Sequence, residues 1–195
     1  MIYLYKIRRK SISRKFFLYL GFSLETVDSM SYNGSGDNMA TKTNAVRIVQ
    51  QSGIPMREAF YEYDEQDLSG THAAEAIGMP EQQVFKTLVA RGERTGIHVF
   101  CIPVCCELDL KKAAQAAGDK SISMVAVKEL LPLTGYIRGG CSPVGMKKKY
   151  PTHFDESCVL YDEIAVSAGA RGHQMILSPE ALARLVGAEY ADITK

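Results

Sequence analysis

Apolar residues from Thr43 onward recur at helical spacing, with Ala45, Val46, Ile48 and Val49 in one stripe, until Gly53 and Pro55 stop the run. A second helical stretch has Thr71 as its expected cap, Ala73, Ala74, Ala76 and Ile77 within, and Gly78 and Pro80 at its exit. The pattern then changes. Residues 84–90 and 97–104 are apolar and rich in β-branched side chains, and the charged, glycine-containing turn at 91–96 between them predicts a hairpin. A helix over 109–117 is capped by Asp109 and ended by Gly118.

The later half predicts a helix over 126–131, a strand at 136–138, a Gly-Pro loop, and strands at 158–161, 164–167 and 174–177. A last helix has Ser178 as cap, Pro179 at its first position and Gly187 past its end. Helices and strands are mixed without strict β-α-β alternation or a fixed-period repeat. The expected fold class is therefore mixed α/β, a mixed β-sheet surrounded by helices rather than a doubly wound sheet.

Charge divides the chain. Residues 1–38 hold six Lys or Arg against three Asp or Glu, which leaves 17 basic and 19 acidic residues in 39–195. The first segment reads as an unstructured extension, because no small-residue cleavage site follows its short apolar stretch. Met39 looks like a fresh start to the main module, a single domain over 39–195. A module with net charge −2 does not announce a nucleic-acid binder through bulk charge, so any RNA contact has to be local. Five cysteines in no zinc-type spacing read as reduced thiols, and no apolar run reaches membrane-span length; a cytoplasmic protein without a metal or membrane partner is expected.

Lys86 is the most informative side chain. A two-residue period puts it on one strand face with Val84 and Leu88, and puts Phe85, Thr87 and Val89 on the other. An ammonium among apolar neighbours has to reach solvent from an edge strand, find a partner, or line a polar cavity. The glycine-rich segments 139–145 and 167–172 are either tight turns or places where backbone approaches a ligand. Cys141 lies in the first of them, and His153 or His173 would be the base of a thiol nucleophile. The run 147–149 of lysines is a solvated face or a phosphate contact.

In order along the chain stand FKTL at 85–88, DLKKAA at 109–114, TGY at 134–136, GGCSPVG at 139–145, SAGARG at 167–172 and LVGAE at 185–189. This ordered set resembles the YbaK family over residues 43–195. The resemblance implies the mixed-sheet fold of the editing domain inserted in bacterial prolyl-tRNA synthetases. It also implies hydrolysis of cysteine mischarged on tRNA(Pro), with no cofactor, and makes aminoacyl-tRNA and prolyl-tRNA synthetase the implied partners. By the same resemblance the family lysine matches Lys86, with Thr87 beside it. The pocket tyrosine matches Tyr63, the glycine-proline loop matches Gly139, Gly140, Ser142 and Pro143, and the following turn contributes Ser167 and Arg171.

The chemistry so implied is substrate-assisted: loop and lysine hold the acceptor end while the substrate's own thiol attacks its ester. The competing readings are a deacylase for another small aminoacyl-tRNA, a thiol hydrolase using Cys141, and a module that binds aminoacyl-tRNA or a synthetase without turnover.

Overall fold

The computed structural model describes residues 42–195, so the extension expected over 1–38 and the start of the module at Met39 lie outside the described residues. The elements run α1 (Asn44–Gln51), β1 (Met56–Phe60), α2 (Gly70–Ala76), β2 (Val84–Gly92), β3 (Gly96–Pro103), α3 (Leu110–Ala116), β4 (Ile122–Met124) and α4 (Val127–Thr134). They continue with β5 (Thr152–Asp155), β6 (Ile164–Ala170), β7 (His173–Leu177), α5 (Pro179–Val186) and β8 (Glu189–Ala191). The sheet order is β1-β7-β6-β2-β3-β5-β8, with β4 added to β2. It is mixed: β2 pairs with β6, β3 with β5 and β5 with β8 in parallel, and the remaining pairs are antiparallel.

Both faces of the central strands are covered, which is why β2 and β3 read as near-continuous apolar runs. Phe85, Val99, Cys101 and Val166 pack with Ala45, Val46 and Val49 of α1 and Leu182 of α5. Their neighbours in sequence point the other way. Phe100 and Ile102 meet Ala113 and Ala114 of α3, while Val84 and Ala165 meet Ala74 of α2. Thr43, Asp109 and Ser178 cap α1, α3 and α5, each side chain accepting from a backbone N–H in the first turn.

Several local expectations are corrected. The cap of α2 is Ser69, not Thr71: its hydroxyl accepts from His72 N, and the helix opens at Gly70, where any Cβ would overlap the Val104 side chain. Residues 136–138 form no strand. Gly135, with φ 85°, ends α4, and the Tyr136 hydroxyl then donates to the Val144 carbonyl at 2.6 Å, bending the chain into a loop. Residues 158–161 are not a strand either, because Asp155 caps a 3-10 helix over Glu156–Leu160 that buries Cys158 and leaves Val159 and Leu160 exposed. The helix expected at 126–131 runs on through Pro132 to Thr134.

Candidate active site

Strand β2 changes partners part-way along. It pairs with β6 only at Val84 and Phe85, and β4 takes up the same side only from Ala90. Between these points the edge at Lys86, Thr87 and Leu88 has β3 on one side and no ladder partner on the other. A cleft of about 440 Å³ opens along that gap, and every residue from Val84 to Val89 lines it, whichever sheet face its side chain takes. Sites of about 300–1,000 Å³ are usual for small-molecule ligands.

Lys86 is half-buried, and its Nζ donates to the carbonyl oxygen of Val104 at 3.2 Å. No carboxylate pairs with it among the described ion pairs, and the cleft's lining contains Lys86 and Arg138 but no Asp or Glu. The site is therefore cationic and free to meet negative charge. Thr87 also lines it, with its hydroxyl 3.8 Å from the Cys101 sulfur.

The glycine loop contributes unequally. Gly139, at φ 84°, and Cys141 line the cleft. Gly140, Ser142 and Pro143 lie buried behind it. A Cβ on Gly140 would come 3.1 Å from the Ala170 carbonyl carbon, so this glycine lets the loop pack against the β6–β7 turn. The Ser142 hydroxyl accepts from Val144 N at 3.3 Å.

Ser167 lines the cleft where β6 bulges before β7, and its hydroxyl accepts from Gly169 N at 3.3 Å. Arg171 is not on the lining. Its Nε donates to the Arg138 carbonyl at 3.1 Å and its Nη1 to Glu65 at 3.0 Å, which ties the glycine loop to the β6–β7 turn. Its guanidinium lies 6.0 Å from the centre of the Tyr63 ring. Tyr63 and Arg171 together wall a smaller recess that shares Tyr61, Leu68, Ser69 and Gly139 with the main cleft.

Sequence reasoning passed over Tyr61, Arg138, Gln174 and the 68–71 segment, all of which line the cleft. Gln174 had a signal of a kind, since it alternates with Met175 on a predicted strand. Its pairing with Ser167 across β6 and β7 was not visible.

The Cys141 dyad is not assembled. Burial pushes the Cys141 thiol up to about 12. His153 bonds His98 at 3.3 Å, and His173 bonds Glu58 at 2.9 Å while stacking on Phe60. Neither imidazole is offered to the thiol.

The family model for the aminoacyl-tRNA editing domain matches residues 68–185, the segment that supplies the cleft's lining apart from Tyr61. The chain belongs to the aminoacyl-tRNA editing domain family. Over 153 residues this editing domain is 48% identical to "Putative Cys-tRNA(Pro)/Cys-tRNA(Cys) deacylase EbsC" of Enterococcus faecalis (strain ATCC 700802 / V583), covering 78% of this chain and 93% of the relative. It is 27% identical over 121 residues to YwhH of Bacillus subtilis (strain 168), covering 62% of this chain and 76% of that one. Among solved structures, a "putative trans-editing enzyme for prolyl tRNA synthetase" superposes with TM-score 0.66 at 28% identity, covering 78% of this chain and 98% of the other. Among the described residues of the editing domain, no helix is long and apolar enough to cross a membrane.

Proposed function

We propose that this protein is an aminoacyl-tRNA deacylase that clears cysteine mischarged on tRNA(Pro). The observation that carries the reading is the cleft at the gap in β2: it is cationic and small, and its Lys86 ammonium is bound to a backbone carbonyl and, among the described ion pairs, to no carboxylate. The 48% identity to EbsC, whose name specifies Cys-tRNA(Pro) and Cys-tRNA(Cys), supports the choice of amino acid.

An aminoacyl ester is already activated, so the site has to position it and stabilise charge that develops on oxygen. The substrate thiol loses its proton and attacks its own ester carbonyl, forming a carbon–sulfur bond. The carbon–oxygen bond to the ribose breaks, the 3′ oxygen takes up a proton, and water then opens the thiolactone to free cysteine. Lys86 offers its ammonium to the carbonyl or leaving oxygen, while Thr87, Ser167 and the Gly139 backbone shape the cleft around the ester. No nucleophile from the protein is required, in keeping with the buried, protonated state of Cys141.

Residues 39–195 carry net charge −2. Binding of tRNA by the protein alone is accordingly weak and falls steeply with salt, and prolyl-tRNA synthetase supplies the remaining affinity in the cytoplasm. The test is deacylation of labelled Cys-, Ser-, Ala- and Pro-tRNA by purified protein. Rapid loss of cysteine with slow loss of serine is the expected result, because a hydroxyl ionises far less readily than a thiol. Preferred clearance of alanine would move the substrate to another small amino acid, and ester lifetimes equal to the enzyme-free control would leave only a binding module.

A further inference from the structure

Among the described residues, one buried polar side-chain atom of the cleft has no partner within the protein. Gln174, in register with Ser167 across β6 and β7, lines the cleft and is 6% exposed. Its Nε2 donates to the Tyr61 hydroxyl at 3.4 Å, and its Oε1 has no hydrogen-bond partner. Leaving a buried acceptor unpaired is costly, so native folds rarely do it without cause. The other buried unpaired polar atom among the described side chains, Nδ1 of His153, does not belong to the cleft.

An aminoacyl ester brings a donor that must be met: its α-amino group, charged or neutral. The lining contains no Asp or Glu to meet it. Most of the hydroxyls are already engaged. Ser69 accepts from His72 N, Ser167 from Gly169 N and Tyr61 from Gln174, while Thr87 faces the Cys101 sulfur. Thr71 donates to Ser69 at 3.1 Å, and among the described residues Gln174 Oε1 is the one buried polar side-chain atom of the cleft without a partner. The broad last torsion of a glutamine lets it turn toward the cleft without moving the strand, in exchange for the 3.4 Å bond to Tyr61. Its neutrality matters too. A carboxylate in the same cleft would attract the Lys86 ammonium, whereas an amide oxygen accepts from the amine and leaves that ammonium to the ester.

We propose that Gln174 Oε1 is the acceptor for the substrate's α-amino group, a binding role that rests on the deacylase reading. It sets the orientation of the amino acid in the cleft and selects for substrates whose amine is free.

The experiment uses two short RNAs ending in CCA, one carrying cysteine through a non-hydrolysable 3′-amide and one carrying 3-mercaptopropionate, which lacks only the α-amino group. Wild-type protein binds the first roughly tenfold more tightly, the size expected for one hydrogen bond to a charged donor. Gln174→Leu removes that preference while its affinity for the second RNA is unchanged, and Gln174→Glu, which keeps an acceptor, retains it. Should the leucine variant not fold, Gln174→Met asks the same question. Persistence of the preference without the amide overturns the proposal. Equal weakening toward both RNAs does so as well, since it would place Gln174 on the carbonyl or ribose. Wild-type protein that binds both RNAs equally overturns the amine contact and leaves the deacylase reading standing, since that reading is tested separately by the deacylation panel.

Discussion

Lys86 Nζ donates to the carbonyl oxygen of Val104 at 3.2 Å, just past the end of the strand that pairs with its own. Val104 N in turn bonds the Val84 carbonyl at 2.8 Å, so the two residues close the open end of the β2–β3 hairpin. This relationship resolves how an ammonium sits in an apolar strand. One donor is satisfied by backbone, and the cleft that Lys86 lines contains no carboxylate.

Replacing Lys86 by Ala is expected to lower kcat/KM for Cys-tRNA(Pro) about 100-fold, the usual cost of one donor aimed at developing oxygen charge. The melting temperature shifts by only a few degrees, because the Val104 carbonyl remains able to meet water in the cleft. Steady-state deacylation and a thermal melt of the same preparation check both halves.

Cys141→Ser is expected to retain deacylation within about threefold of wild type, since a protein nucleophile plays no part. Burial pushes the thiol up to about 12, which disfavours the thiolate a protein nucleophile would need at pH 7. A folded but inactive serine variant, or an acyl adduct on Cys141 seen by mass spectrometry, would return the enzyme-thiol mechanism.

His98 and His153 stack at 5.5 Å and share a hydrogen bond inside the β3–β5 layer, beside Phe100. Burial holds both below the ordinary histidine value, more strongly than Asp119 raises the first or Glu189 the second. Folding therefore favours their neutral forms. Stability is full above about pH 6.5, where the unfolded histidines are also neutral, and declines as the pH drops below it because the unfolded chain takes up protons more readily. A melting temperature that is level from pH 8 to 7 and decreases between 6.5 and 5 is expected, with a shallower decrease in His153→Phe.

Much of the frame was legible because its signals are local. The caps at Thr43, Asp109 and Ser178, the stops at Gly53, Gly118 and Gly187, and the β-branched runs of the hairpin each act within a few residues. The strands β1, β4, β5 and β8 were not legible, since they are short and gain their conformation from partners: β5 is extended because β3 and β8 flank it. The 158–161 segment shows the converse, with its apolar character overruled by the Asp155 cap.

The site divides in the same way. The sequence by itself determined that a lysine stands in an apolar strand and that glycine turns follow later strands, because residue type and spacing carry that information. Only the tertiary structure decided that β6 leaves β2 after Phe85 and so opens a cleft at Lys86. It also decided that Tyr61 lines that cleft while Tyr63 walls the recess beside it, and that Gln174 meets Ser167 there. The reason is physical: which residues share a cavity depends on where strands part and which register joins them, and here that means the β2–β6 pairing of Val84 with Ala165, far apart in the chain, and the bulged register of the β6–β7 hairpin.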